Sequence, residues 1–348
     1  YINMNDLPIP TPAVRHLRVT DAHEGQRLDN FLASVCQGVP KSRLYRIIRS
    51  GEVRVNGRRA AADSRVQLGD DIRLPPLRTA SDPLARAAGR GAAADASSAD
   101  AHRRARAVPL SLPVVHEDDW LLVVDKPVGL AVHGGSGVAA GAIERLRAGR
   151  PQARFLELAH RIDRETSGLL MVAKRRSCLV ALHAMLREGR VRKRYRAIVA
   201  GPWTTQWRTL EYPLQKWVSA DGERRVSVQA GGMQARTRVR SLAQWRHPRL
   251  GEFSLVEAEL DTGRTHQIRV HMAHAGAPLA GDDKYGDFAL NRELDREGLR
   301  RMYLHAHTLR LPDPAQPTNT LAFEAPLPTE FADFARACGA TLLPASKP

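Results

Sequence analysis

Cysteines are few in this sequence, and they follow no pattern. The 348 residues include three of them, Cys36, Cys178 and Cys338, which lie far apart and form no Cys-x-x-Cys pair. This spacing argues against a disulfide framework and against a zinc ribbon, and it favours a reducing compartment. We therefore expect a cytoplasmic protein that is not held together by cross-links.

Long apolar runs are absent too. No stretch of the sequence approaches the roughly 18 residues that a membrane-spanning helix needs. Residues 1–12, YINMNDLPIPTP, contain no basic region followed by an apolar core, so they do not resemble a secretory signal. The sequence predicts neither a membrane partner nor secretion.

Negative charge is scarce relative to positive charge. The chain has 37 Asp and Glu residues against 53 Lys and Arg residues, which gives a formal net charge of +16. Such an excess favours polyanionic partners, because neutralising phosphates releases counterions and steers the encounter. A generally Arg-rich proteome would explain part of the excess, so charge alone does not identify the partner.

Composition divides the chain into parts. Residues 79–108 consist mainly of Ala, Gly, Ser, Asp and Arg, and such a segment cannot bury enough surface to offset its ordering entropy. We interpret it as a flexible linker, with a marginal Ala-rich helix as the alternative. The other parts are an N-terminal extension (1–24), a small domain (25–78), a large domain (109–338) and a C-terminal tail (339–348).

The small domain combines helices with a hairpin. Apolar residues at helical spacing predict helices over 27–34 and from Pro40 to Gly51, and VRV before Asn56-Gly57 predicts a strand entering a tight turn. One exposed Arg on the second helix would be explained as part of a solvated face. Three in register beside a basic hairpin favour a surface that follows phosphates. These residues are Arg43, Arg46 and Arg49.

The large domain is rich in strands. Helical stretches at about 139–149 and 177–188, and a shorter one after His271, interrupt the strands. The predicted strands are 120–127, 168–174, 193–201, 236–245, 253–260 and 266–272. This pattern predicts an α+β fold whose mixed sheet is mostly antiparallel.

Asp163 is the first candidate for chemistry. It lies between Arg161 and Arg164 and just before the predicted strand over 168–174. A carboxylate flanked by cations would be held ionised at neutral pH, as a nucleophile or a general base requires. A lone Asp-x-x-Thr is nevertheless better explained as a turn residue that caps backbone amides. Spacing alone therefore leaves both interpretations open.

A second cluster lies at 261–274, DTGRTHQIRVHMAH. On a strand, Arg269 would project from an otherwise apolar segment, and we expect it to need a carboxylate partner. The strand would place His266 and His271 on opposite faces, and no His-Glu-x-x-His pattern is present. The glycine-rich HGGSG at 133–137 lacks both nucleotide-binding spacings, and no serine lies in a nucleophile elbow. We predict no metal and no nucleotide cofactor.

Five blocks of the sequence follow one another in a characteristic order: LVVDKPVGLAVHGGSG (122–137), HRIDRETSGLLMVAK (160–174), KRYRAIVAG (193–201), TGRTHQIRVHMAHAGAPLAGDDKYGD (262–287) and LHAHTLRL (304–311). In these blocks and in their order the sequence resembles the pseudouridine synthases of the RluA family, and it is most like the C-type members. The small domain is similar to the S4-type RNA-binding domain that this branch often carries. The resemblance covers about 20–335; Ile162 replaces a commoner leucine, and the linker is unusually long.

The resemblance implies an activity and a set of roles. Asp163 would be the essential carboxylate, Arg269 its basic partner, and Tyr195 the residue that stacks on the uracil, although a lone strand tyrosine is otherwise explained by core packing. The target uridine would be flipped out of the RNA, with Arg161 filling the vacated space. The isomerisation conserves atoms, so no cofactor is implied. The expected partner is large-subunit ribosomal RNA, and the enzyme is expected to act as a monomer.

Other functions remain as alternatives. The chain could be a D-type enzyme or act on transfer RNA, or it could be a non-catalytic RNA-binding factor in ribosome assembly. A missing carboxylate would have favoured the non-catalytic factor, but Asp163 is present. A nucleotide- or metal-dependent enzyme is disfavoured by the missing motifs.

Overall fold

The computed structural model describes residues 14–20, 23–36, 38–77, 112–134, 140–219 and 222–341. These residues belong to two compact units. The first lies within Tyr1–Val108 and adds two short segments, Gln152–Phe155 and Arg175–Ser177, and the second contains the remainder of the chain. The segment 79–108, interpreted above as a linker, lies outside the described residues, as do most of the N-terminal extension and of the C-terminal tail.

The N-terminal unit is a three-stranded antiparallel sheet with two helices. Its elements are β1 (Arg15–Arg18), α1 (Leu28–Val35), α2 (Lys41–Arg49), β2 (Arg54–Val55) and β3 (Asp71–Leu74), and the strand order is β1-β3-β2. The helices bury the apolar residues that predicted them, Leu28, Phe31, Leu32, Leu44, Ile47 and Ile48. Asn56 and Gly57 have φ angles of 48° and 76° and form the predicted turn. These predictions from periodicity are confirmed.

The second unit is built on a ten-stranded sheet. The strands of this unit are β4 (Val114–Glu117), β5 (Leu121–Lys126), β6 (Glu157–Leu158), β7 (Ser167–Ala173), β8 (Arg192–Ala200), β9 (Arg208–Glu211), β10 (Leu214–Val218), β11 (Arg224–Val228), β12 (Arg236–His247), β13 (Gly251–Leu260), β14 (Leu304–Pro312) and β15 (Thr320–Glu324). The main path is β4-β5-β7-β14-β8-β13-β12-β9, with β6 on β7 and β15 on β14, while β10 and β11 form a separate two-stranded sheet. The expected mixed, mostly antiparallel sheet is confirmed, because only β7 and β14 pair in parallel among these strands.

Helices cover parts of this sheet. They are α3 (Ala142–Ala148), α4 (Arg176–Arg187), α5 (Gln267–His274), α6 (Phe288–Arg296) and α7 (Thr329–Ala337). One core cluster includes Tyr195, Val256 and Met272, and a second includes Ile198, Phe253 and Phe334. Because successive residues of a strand point to opposite faces, Tyr195 and Ile198 of β8 contribute to the cores on the two faces.

The prediction of a strand over 266–272 is wrong, since Gln267–His274 form helix α5. Its polar and apolar residues alternate, which imitates the period of a strand. All residues from Gln267 to Met272 are buried, so the helix has no solvent face that would show the helical period. The buried amide of Gln267 finds its partner inside the protein, because its Nε2 donates to Oγ1 of Thr237 at 2.9 Å.

None of the helices within the described ranges combines the length and the apolar character that crossing a bilayer requires.

Candidate active site

Asp163 lies in the loop that joins β6 to β7. The amide of Thr166 donates to the carbonyl of Asp163 at 3.1 Å, which closes a turn immediately before the fully buried strand β7. The Asp163 side chain is 26% exposed, so it is accessible but not free in solvent. A turn fixed to a buried strand holds this carboxylate at a defined position.

The buried Lys126 binds backbone carbonyls of the turn after β5 and of the loop that contains Asp163. Its Nζ donates to the carbonyls of Pro127, Leu130 and Arg164 at 2.8, 2.8 and 3.1 Å. The amide of Gly129 also donates to the Arg164 carbonyl, at 2.9 Å. Burial lowers the pKa of Lys126 to about 7. The ammonium joins the turn after β5 to the residue that follows Asp163.

Arg269 on α5 approaches Asp163 from the other side. Its Nη1 lies 3.4 Å from Oδ2 of Asp163, and its side chain is only 3% exposed. Its shorter contacts are with the buried Asp282, at 2.7 Å from Nε and 2.6 Å from Nη2. Asp283 adds a third carboxylate at 3.1 Å. The expected carboxylate partner of Arg269 is therefore a group of three, and Asp282 is the one bound in the bidentate geometry that guanidinium groups favour.

Asp282 is itself held by the backbone. Its Oδ1 accepts from the amides of Lys284 and Tyr285 at 2.9 and 3.0 Å. Burial opposes its ionisation, but the hydrogen bonds and the charge of Arg269 prevail and lower the pKa of Asp282. The carboxylate in turn raises the pKa of Arg269 against the effect of burial. The pair gives Asp163 a permanently charged neighbour that has one fixed orientation.

His266 and Tyr285 complete this side of the site. Nε2 of His266 lies 3.9 Å from Oδ1 of Asp163, and its Nδ1 lies 2.8 Å from the hydroxyl of Tyr285. The Tyr285 ring lies over the Arg269 guanidinium, with 5.2 Å between the guanidinium carbon and the ring centroid. Sequence reasoning assigned no role to His266, Asp282 or Tyr285, although all three lie within the resembling block 262–287.

Tyr195 projects from β8 into the same region. Its side chain is 7% exposed, and burial, with a smaller contribution from the charge of Asp163, raises its pKa. The phenol therefore stays protonated at neutral pH and offers a ring face and a neutral hydroxyl.

One cleft of about 1520 Å³ is lined by Asp163, Tyr195, His266, Arg269 and Asp283. That volume exceeds the roughly 300–1,000 Å³ typical of small-molecule pockets, so the cleft can admit a nucleotide together with its neighbours. The exposed Arg161 lies on its wall, next to Asp163. Further basic residues that line it are Arg164, Arg187, Lys193, Arg264 and Lys284. Cations around a cleft suit a polyanionic substrate.

The structure brings together Asp163, Arg269, Tyr195 and Arg161, which are the four residues singled out in the large domain. Arg43, Arg46 and Arg49 lie in the other unit, on the exposed face of α2. In the part of the chain that the structure describes, no group of three or more His, Cys, Asp or Glu side chains is arranged to hold a metal ion.

Fold and site together define an RNA-modifying enzyme. The family model of RNA pseudouridylate synthases matches residues 120–274, and the model of the S4 domain matches residues 26–72. Asp163, Tyr195 and Arg269 all fall within the first match.

The chain belongs to the RluA family of pseudouridine synthases and carries an S4 domain. It is 43% identical over 319 residues to the "Ribosomal large subunit pseudouridine synthase C" of Escherichia coli K12, covering 91% of this chain and 94% of that protein. The protein of the same name from Haemophilus ducreyi is 46% identical over 301 residues, which cover 86% of this chain and 88% of that protein. Membership in the family makes the protein a pseudouridine synthase.

Solved structures agree with this fold. "Human RNA Pseudouridylate Synthase Domain Containing 1" superposes with a TM-score of 0.54 at 24% identity, covering 68% of this chain and 91% of that one. "Human RNA Pseudouridylate Synthase Domain Containing 4" gives a TM-score of 0.54 at 23% identity, covering 71% and 98%. At these identities the likeness concerns the fold.

Proposed function

We propose that this enzyme isomerises specific uridines to pseudouridine in the ribosomal RNA of the large subunit. The substrate class is taken from the relatives named above, which align over nearly their whole length. The observation that carries the chemistry is the accessible carboxylate of Asp163 in a basic cleft, with the buried Arg269 guanidinium 3.4 Å away.

The reaction breaks the N1–C1′ bond of uridine, turns the base and joins C5 to C1′; C5 loses its proton and N1 gains one, so the atoms are conserved. Two routes use the same carboxylate: attack on C1′, or removal of the C2′ proton to give a glycal. In both routes Asp163 must be ionised and aimed at the ribose. The Arg269 guanidinium, which Asp282 holds in place, lies beside Oδ2 of Asp163 and orients this carboxylate without taking part in proton transfer.

The other residues of the cleft act on the base and on the RNA. A stacked base cannot reach the buried end of this cleft, so the uridine must leave the helix. Arg161 lies on the cleft wall, and we assign to it the role of filling the space that the base leaves. Tyr195 stacks on the uracil. Because its phenol stays protonated, the side chain brings no charge close to the base when the C5 proton departs.

The N-terminal unit contributes affinity. We assign RNA binding to 25–78, where Arg43, Arg46 and Arg49 form a basic face on α2, and catalysis to 109–338, with 79–108 as the linker. Phosphate contacts of this kind position the RNA without reading its sequence. Because the substrate is ribosomal RNA and all three cysteines are free, we place the enzyme in the cytoplasm. We also propose that it acts as a monomer.

Mapping pseudouridines in ribosomal RNA tests this proposal. RNA from cells that lack the protein should lose modification at a defined set of large-subunit uridines, and the wild-type gene should restore them whereas D163N should not. Loss confined to transfer RNA, or no loss at all, would contradict it. The relatives named above give no support to the alternative of a D-type or transfer-RNA enzyme.

A further inference from the structure

His266 adopts an unusual backbone conformation at the start of α5. Its φ angle is 53°, and Asn56 is the other non-glycine residue with positive φ among those described. The left-handed region costs an ordinary residue about 1–2 kcal/mol, so it persists where surrounding contacts impose it. Here the conformation turns the imidazole into the cleft, where Nε2 faces Oδ1 of Asp163 at 3.9 Å.

The hydrogen bonds around Tyr285 favour one tautomer of His266. The amide of Val226 donates to the Tyr285 hydroxyl oxygen at 3.0 Å, so that contact leaves the hydroxyl proton unused. Among the described residues, the acceptor within reach of this proton is Nδ1 of His266, at 2.8 Å. When the hydroxyl donates this proton, Nδ1 is the acceptor, and a neutral ring then carries its hydrogen on Nε2.

The imidazole is neutral at physiological pH. Burial lowers the pKa of His266, and the charges of Arg269 and Lys284 act in the same direction. Asp163 and Asp282 oppose the shift without overcoming it. The ring therefore presents an uncharged N–H to Asp163, and the proton is fixed on that side by Tyr285.

Tyr285 is held by the same assembly that holds Arg269. Its backbone amide donates to Asp282, and its ring lies against the Arg269 guanidinium. The two oxygens of Asp163 thus face two donors, Oδ1 facing His266 and Oδ2 facing Arg269, which share Asp282 and Tyr285 as supports.

We propose that His266 is a positioning residue for Asp163, acting as a neutral Nε2–H donor whose tautomer is set by Tyr285. The inference rests on the proposed catalytic role of Asp163. Hydrogen bonds in a site without substrate are often long and shorten in the productive complex, and the 3.9 Å contact needs to close by about 1 Å. A neutral donor orients the carboxylate without adding a second positive charge that would weaken it as a nucleophile or base.

Two substitutions at His266 separate donation from packing. H266Q keeps an N–H near the position of Nε2 and cannot be protonated, whereas H266F keeps the ring shape without a donor. Loss of a hydrogen bond to a charged group predicts that H266F lowers kcat about tenfold to a hundredfold. KM for the RNA should stay unchanged, and H266Q should recover most of the lost rate.

Tyr285→Phe tests the tautomer through a residue that does not contact Asp163 in this structure. Without the hydroxyl, Nδ1 is free to take a proton, so His266 should become cationic at higher pH. The acid side of the profile of kcat against pH should shift upward in Y285F, and the double variant Y285F/H266Q should lose that shift. An unshifted profile in Y285F would overturn the proposed role of Tyr285.

Nitrogen NMR of histidine-labelled wild-type enzyme reads the tautomer directly, with the His266 signals identified by their loss in H266Q. We expect the Nε2–H tautomer at neutral pH; an Nδ1–H tautomer or an imidazolium would overturn the proposal. So would an H266F enzyme with wild-type kcat, or an H266Q enzyme as slow as H266F. D163N is assayed beside these variants, because activity in D163N would contradict the proposed catalytic role of Asp163 rather than the role of His266.

Discussion

Asp282→Asn should destabilise the second unit, which contains the candidate active site and is called the catalytic unit below, far more than Asp283→Asn, although both carboxylates contact Arg269. The side chain of Asp282 is 1% exposed and that of Asp283 is 65% exposed. In D282N the amide nitrogen must face either the Arg269 guanidinium or the backbone amides of Lys284 and Tyr285, all of which are donors. The change therefore removes a charge and also places a donor against a donor.

The magnitude follows from burial. Removing one partner of a buried ion pair costs about 3–5 kcal/mol because the remaining charge is left uncompensated. Arg269 keeps Asp163 and Asp283, so we expect the lower end, about 3 kcal/mol. For a unit of this size that corresponds to a fall in Tm of about 6–12 °C. The exposed contact of Asp283 should contribute about 0–1 kcal/mol.

Tryptophan fluorescence during urea unfolding provides the assay. All five tryptophans lie at position 120 or later, so their signal reports the catalytic unit without a contribution from the N-terminal one. Because the pKa of Asp282 is lowered in the folded state, the advantage of wild type over D282N is present at neutral pH and shrinks on acidification. Equal losses in D282N and D283N, or no loss in D282N, would refute the assignment of Asp282 as the main partner of Arg269.

Three further predictions concern other parts of the molecule. The hydrogen bond from Arg27 lowers the pKa of Asp29 to about 2, although burial opposes the shift. D29N should therefore speed amide exchange in α1 about tenfold at pH 7. The difference between D29N and wild type should disappear as the pH falls towards about 2. Gly168 has a φ of 106°, and a Cβ there would lie 2.3 Å from the carbonyl oxygen of Ala306, so G168A should lower both Tm and kcat by disturbing the strand that follows the Asp163 turn. Replacing the basic face of α2 with glutamine should weaken RNA binding at low salt and flatten its dependence on salt by about 0.7–0.9 per lost phosphate contact, without changing kcat at saturating RNA. The residues to replace are Arg43, Arg46 and Arg49.

Much of the fold follows from local sequence patterns. The strands over 120–127, 168–174 and 193–201 were predicted within about two residues of β5, β7 and β8, because runs of apolar and β-branched residues bounded by turn signals reflect burial in a sheet. Helix α5 was not predicted from the sequence, because a helix that is buried on nearly all sides has no polar stripe from which its period can be recognised.

The catalytic assembly is only partly visible in the sequence. Because an isolated buried guanidinium is costly, the sequence was enough to predict a carboxylate partner for Arg269. It did not identify which carboxylate, since Asp282 lies 13 residues away and only the fold brings the two side chains together. The role of His266 depends on a hydroxyl at position 285 and a backbone amide at position 226, which no spacing rule connects. Such contacts arise when β11, α5 and the loop after it meet in three dimensions.

Release of tritium from C5-labelled uridine in large-subunit ribosomal RNA tests the central claim most directly, because joining C5 to C1′ must expel that hydrogen. Wild-type enzyme should release tritium, and D163N, which keeps the shape of the side chain but not its charge, should release none while binding the RNA with unchanged affinity. Equal release by wild type and D163N would contradict the account.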